Sequence, residues 1–164
     1  MSPRALVSWL GAVSIAVACA LPTAARSSSA LKGAVALARI DVGVACAYPG
    51  QLVRCTESGV FRGSPGRARA SYSWTWNLSS SSAEGRLTLT FAKSGSLVLE
   101  TSGREQATNP PGSLKTAGSW RVASGTGSFA RAFGRGSYVC LSIENRNVKP
   151  VTRTGSITIS GTIS

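Results

Sequence analysis

Apolar and polar residues alternate along most of this chain. In SYSWTWNL, Tyr72, Trp74, Trp76 and Leu78 hold one parity, and Ser71, Ser73, Thr75 and Asn77 hold the other. The same period runs through GRLTLTFA (Leu87, Leu89, Phe91), SLVLETS (Leu97 and Leu99, opposite Val98 and Glu100) and GSITISGTIS (Ile157, Ile159, Ile163). Successive side chains of a strand point to opposite faces, so the pattern predicts strands with one buried face. Gly, Pro, Asn and Ser clusters at 64–66, 79–85, 93–96, 107–113 and 144–150 separate them. The predicted strands are 40–47, 52–62, 68–78, 86–92, 96–103, 116–123, 135–144 and 153–163. LKGAVALARI, residues 31–40, fits a short helix or a strand entry equally. Many short strands at near-regular spacing predict an all-β sandwich or closed barrel.

The start of the chain departs from this pattern. MSPR is followed by the charge-free apolar run ALVSWLGAVSIAVACALP and by small residues. That order reads as a secretory signal peptide over residues 1–25, cleaved after Ala20 or Ala25, and it predicts a secreted or cell-envelope protein. Lipidation at Cys19 is the alternative anchor, although Ala16 stands where such a site usually has Leu. Residues 26–39 are then a lead-in, and 40–164 a single barrel domain. Export places Cys46, Cys55 and Cys140 in an oxidising environment. Cys46 and Cys55 flank the turn YPGQ and form the preferred disulfide, while pairings with Cys140 stay open on spacing alone.

Charge narrows the partners without naming one. The chain has 18 Lys+Arg against 6 Asp+Glu, a net charge of +12. Such a surface attracts an anionic polymer or lipid surface. The basic residues are spread out, densest in RGSPGRARA, where Arg62, Arg67 and Arg69 lie. No specific nucleic acid is expected for an exported chain.

Candidate chemistry is sparse. With no histidine, Ser-His-Asp and Cys-His arrangements are excluded, and with no CxxC pair a zinc site is not expected. No metal or cofactor is expected. Of the six acids, Glu100 and Glu144 are the two read on strands, and so are the weak catalytic candidates. Either, turned into an apolar barrel, would have a raised pKa suited to acid–base work. Tyr72, Trp74, Trp76 and Tyr138 are the candidate ligand-binding residues; the alternative is that these rings fill the core.

SWRVASGTGSFARAFGRGSY, residues 119–138, invites a second reading. GTGSFA fits a relaxed dinucleotide fingerprint. That loop must open a helix inside a βαβ unit, yet Gly134 and Gly136 interrupt SFARAF, and the neighbouring strands alternate as antiparallel strands do. The structural reading is a strand exit through Gly125 and Gly127, an inward plug at Phe129, and a strand entry at Gly134 and Gly136. Trp120, Val122, Gly125, Thr126, Gly127, Phe129, Ala130, Gly134 and Gly136 together resemble a segment of the allene oxide cyclase and dirigent families and their exported bacterial relatives. The resemblance implies a calycin-like, eight-stranded antiparallel β-barrel, often in homodimers or homotrimers. It also implies an apolar cavity for a small hydrophobic or amphipathic molecule. No catalytic residue of those families transfers by motif. The sequence therefore points first to a non-catalytic exported barrel, with or without a lumen ligand. A cofactor-independent cyclase-like enzyme is the second choice, and adhesion to an anionic polymer the third.

Overall fold

Seven of the predicted strands form where the alternation placed them, and each runs longer than predicted. The computed structural model describes residues 27–164; the expected signal peptide and Cys19 lie outside the described residues. The strands are β1 (Ser29–Asp41), β2 (Cys46–Ala47), β3 (Leu52–Ser64), β4 (Gly66–Asn77), β5 (Ser82–Phe91), β6 (Gly95–Thr108), β7 (Ser113–Gly125), β8 (Gly134–Asn145) and β9 (Thr152–Ile163). Every pairing is antiparallel, in the order β1-β9-β8-β7-β6-β5-β4-β3-β2. β1 also pairs with β3, from Lys32↔Ser64 to Leu37↔Gly59. That second pairing closes an eight-stranded barrel, and β2 is a short extra strand on β3.

The first strand corrects the sequence reading. The barrel opens with β1 at Ser29, inside the segment taken as a lead-in, whereas predicted strand 40–47 is split, its two ends belonging to β1 and β2. Its centre is one helical turn, α1 (Val42–Ala45), capped by Asp41 Oδ1 accepting from the Gly43 amide at 2.9 Å. The alternation in β1 is hidden because Ala34 and Ala36 occupy the outward positions between buried Val35 and Leu37. Ala, Leu and Lys favour helices. Hydrogen-bonded neighbours on both edges override that preference here.

Leu31, Val35, Phe61, Leu87, Leu89, Leu97, Leu99, Ile157 and Ile159 are fully buried and form the apolar part of the core. The glycine-rich stretch is a corner of this barrel. β7 runs antiparallel into β8 through a single 3-10 turn at Gly127–Phe129, so no helix opens for a dinucleotide. Gly127 has φ +59°, a backbone region that favours glycine. Thr126 fastens the corner to the β5–β6 turn: its hydroxyl lies 2.9 Å from both the Ser96 amide and the Ser96 hydroxyl, and its amide donates to Ser96 O at 2.8 Å. Phe129 is buried, with its ring centroid 5.1 Å from that of Phe91. Trp120 Nε1 donates to Ser137 O at 3.0 Å across the same hairpin. The predicted Cys46–Cys55 disulfide is present between directly paired residues of β2 and β3, and Cys140 is a buried free thiol.

Candidate functional site

Aromatic rings on the inner wall lie over bare backbone of the next strand or the one beyond it. A Cβ placed on Gly85 would lie 2.7 Å from the Tyr72 ring, and one on Gly103 would lie 2.8 Å from the Tyr138 hydroxyl. One on Gly136 or Gly161 would strike Trp120, and one on Gly33 would strike Phe61. An eight-stranded barrel is just wide enough to be filled by side chains or to hold one small ligand. Here the inward rings are themselves buried, Phe61 0%, Tyr138 1%, Trp120 2% and Tyr72 4% exposed, so side chains fill its middle.

Beside those rings runs a buried polar column. Glu57, Thr101, Glu105, Thr116 and Arg153 are all less than 6% exposed. Glu57 Oε1 accepts from Trp74 Nε1 at 3.0 Å and lies 3.4 Å from Arg153 Nε, near enough for an ion pair but not aligned as a hydrogen bond. The Arg153 guanidinium carbon stands 4.5 Å above the Trp74 ring, a cation–π arrangement. Thr116 donates to Glu105 Oε2 at 3.1 Å, and the Tyr72 hydroxyl is 3.2 Å from that of Thr101. Burial pushes the Glu105 carboxyl above its ordinary value, with Arg153 opposing the shift. Burial also raises the phenols of Tyr72 and Tyr138, and pushes the Cys140 thiol up to about 12. Glu105 Oε1, Tyr138 Oη and Trp76 Nε1 are buried without a hydrogen-bond partner among the described residues.

The candidates chosen from sequence separate. Tyr72, Trp74 and Tyr138 turn into the lumen and are buried, while Trp76 is half-buried at the rim of the same core. Glu144 reaches the end of the lumen, bonded to Arg146 at 2.8 Å and 3.9 Å from Arg153. Glu100 faces outward. It is held by Arg121 at 2.7 Å and Arg86 at 3.3 Å, and those partners draw its pKa below the ordinary range. The acid–base role considered for Glu100 needs an apolar enclosure, and its position on the outer wall provides none. Glu57, Glu105 and Arg153 were not singled out from the sequence. Glu57 and Glu105 do lie in strands, the latter because β6 continues past 103 to Thr108.

Two concavities stand out, and both are on the outer wall. The smaller, about 480 Å³, lies beside the exposed Leu141 and Ile143. The larger is an open groove of about 1370 Å³ crossing β3 to β8. Strand register lines up Thr56, Ser73, Arg86, Glu100, Arg121 and Arg135 as one transverse row along it. Arg54, Thr75, Glu84, Ser102 and Ser119 line it as well, so four arginines stand against two glutamates. A second cationic cluster sits at the β3–β4 hairpin, where Arg62 is paired in register with Arg67, and Arg69 follows.

Fold and site together define a closed, eight-stranded antiparallel barrel with a ring-filled lumen and a cationic groove outside. No protein-family model matches the chain, and searches of curated proteins and of solved structures return no match.

Proposed function

We propose that this chain is an exported, non-catalytic β-barrel module that works through its outer wall. The observation that carries this reading is the burial of the inward rings: Tyr72, Trp74, Trp120 and Tyr138 are only 4%, 6%, 2% and 1% exposed, so they line no open space of the size a lumen ligand would need. The Cys46–Cys55 disulfide suits an oxidising environment and supports export. Among described residues no helix is long and apolar enough to cross a membrane. The corner at Trp120, Gly125, Gly127 and Phe129 supports placing the barrel with the allene oxide cyclase and dirigent superfamily, as a scaffold without their chemistry.

Native mass spectrometry of the secreted protein, purified without detergent, tests the reading. The expected species carries one disulfide and no small molecule, alone or as a homodimer or homotrimer. A ligand released on denaturation would overturn the filled-lumen reading.

A specific observation favours a second reading. Glu105 is a buried carboxyl with a raised pKa and one unpartnered oxygen, in the same lumen as the Tyr138 hydroxyl. Such a group suits proton transfer in a cofactor-independent isomerisation of a non-polar substrate. Under that reading a non-polar substrate would displace the rings, and Glu105→Gln would abolish turnover while leaving the barrel folded.

A further inference from the structure

We infer that the outer groove is a binding site for an acidic polysaccharide. This rests on the outer wall being the working surface, and it names the partner. Three features of the groove select that chemistry.

The first is the arrangement of charge. Glu100 stands between Arg86 and Arg121 and accepts from one nitrogen of each, with a second Arg121 nitrogen in ion-pair contact at 2.7 Å. A guanidinium has five N–H donors in a rigid fork, so each keeps free donors beyond that contact. Both side chains remain largely exposed, 63% and 77%. The shared carboxylate therefore fixes two cations without consuming them. Arg54 and Arg135 lie in the same groove with no ion pair among the described residues.

The second is what lies between the arginines. Thr56, Ser73, Thr75, Ser102 and Ser119 present short hydroxyls, neutral partners of the kind that sugar hydroxyls take. Arginine supplies the fork for a sulfate or carboxylate.

The third is what the groove lacks. Trp74 and Trp120 touch it only from behind, being 6% and 2% exposed with their rings in the lumen. Single-stranded nucleic acid binding depends on exposed rings for base stacking. A lipid surface would need an exposed apolar contact, and the exposed Leu141 and Ile143 lie by the other concavity. A polar, concave channel suits a linear chain better than a planar membrane.

The test uses the full secreted protein and a defined heparin oligosaccharide, with affinity measured against salt. Arg54→Ser/Arg135→Ser removes two exposed, unpaired cations, so folding is unaffected. Its affinity is expected to fall about tenfold, with a shallower salt dependence. Arg62→Ser/Arg67→Ser at the hairpin is expected to stay within about twofold of wild type, because it lies outside the groove. Equal losses in the two variants, or none in the groove variant, would overturn the site. Tighter binding of a single-stranded oligonucleotide or of phosphatidylglycerol vesicles than of heparin, lost in the groove variant, would overturn the partner. A lumen ligand found by mass spectrometry would instead defeat the filled-lumen reading and leave these affinities to stand on their own.

Discussion

Tyr72 and Gly85 show how closely single residues are matched in this barrel. A methyl group on Gly85 would sit 2.7 Å from the Tyr72 ring and 2.9 Å from Thr101 Oγ1, both buried and neither able to withdraw. Gly85→Ala is expected to destabilise by about 1–3 kcal/mol, the usual cost of overpacking a tight core, measurable as a lower urea midpoint. Arg153 is bound more tightly still. Arg153→Met strands the Glu57 carboxylate in the core and should destabilise by about 3–5 kcal/mol. Adding Glu57→Gln should recover much of that loss, and a double-mutant cycle reads the difference. Glu105 sets a pH signature. Its folded pKa is raised, so the stability it contributes is full below its ordinary value and is lost as pH rises through the raised one. Glu105→Gln should match wild type in acid and become the more stable of the two across that window, as read by denaturant titrations at stepped pH. Cys140, pushed up to about 12 by burial, should resist thiol reagents until the protein unfolds. These interior ions were legible in principle. Glu57 shares parity with Val53, Cys55 and Phe61, Glu105 with Leu97 and Leu99, and Arg153 with Ile157 and Ile159. An ionisable residue on the apolar parity of a strand is a signal that a search for acids on strands, stopped at Glu100 and Glu144, passes over.

At the level of elements, alternation revealed seven strands because the outward positions of most of them carry Ser, Thr and charged residues; β8, with Leu141 and Ile143 outward, was readable from its glycine entry and the turn that follows it. β1 escaped it because alanine lines its outer face, and apolar-on-both-parities is ambiguous between helix and strand. The β2–β3 hairpin was readable from YPGQ and its flanking cysteines, since a turn of that length sets them in register. Closing a loop of sequence separation 9 should stabilise the fold by about 2–3 kcal/mol. Comparing the urea midpoints of wild type and Cys46→Ser/Cys55→Ser checks this. The glycine corner illustrates the opposite hazard. Its spacing satisfies a nucleotide fingerprint, and only the antiparallel company it keeps assigns it to a barrel end.

For the whole molecule, the groove was not legible at all. Arg54, Arg86, Arg121 and Arg135 lie on four different strands, β3, β5, β7 and β8, and meet only through strand register. The cluster that sequence does display, at Arg62, Arg67 and Arg69, is merely local. Net charge announces an appetite for anions, while the folding of a sheet into a cylinder decides where on the surface it is expressed.

The same closure has a consequence for the timing of synthesis. β1 is flanked by β9 and β3, so β1 must wait for β9, more than a hundred residues later in the chain, before its second edge is covered. Until β9 emerges, the nascent chain carries two open edges and cannot reach its native hydrogen bonding, however complete its middle strands. A nascent chain held open in this way has no closed cylinder until β9 has joined β1, so the barrel forms as a late, single event and not strand by strand.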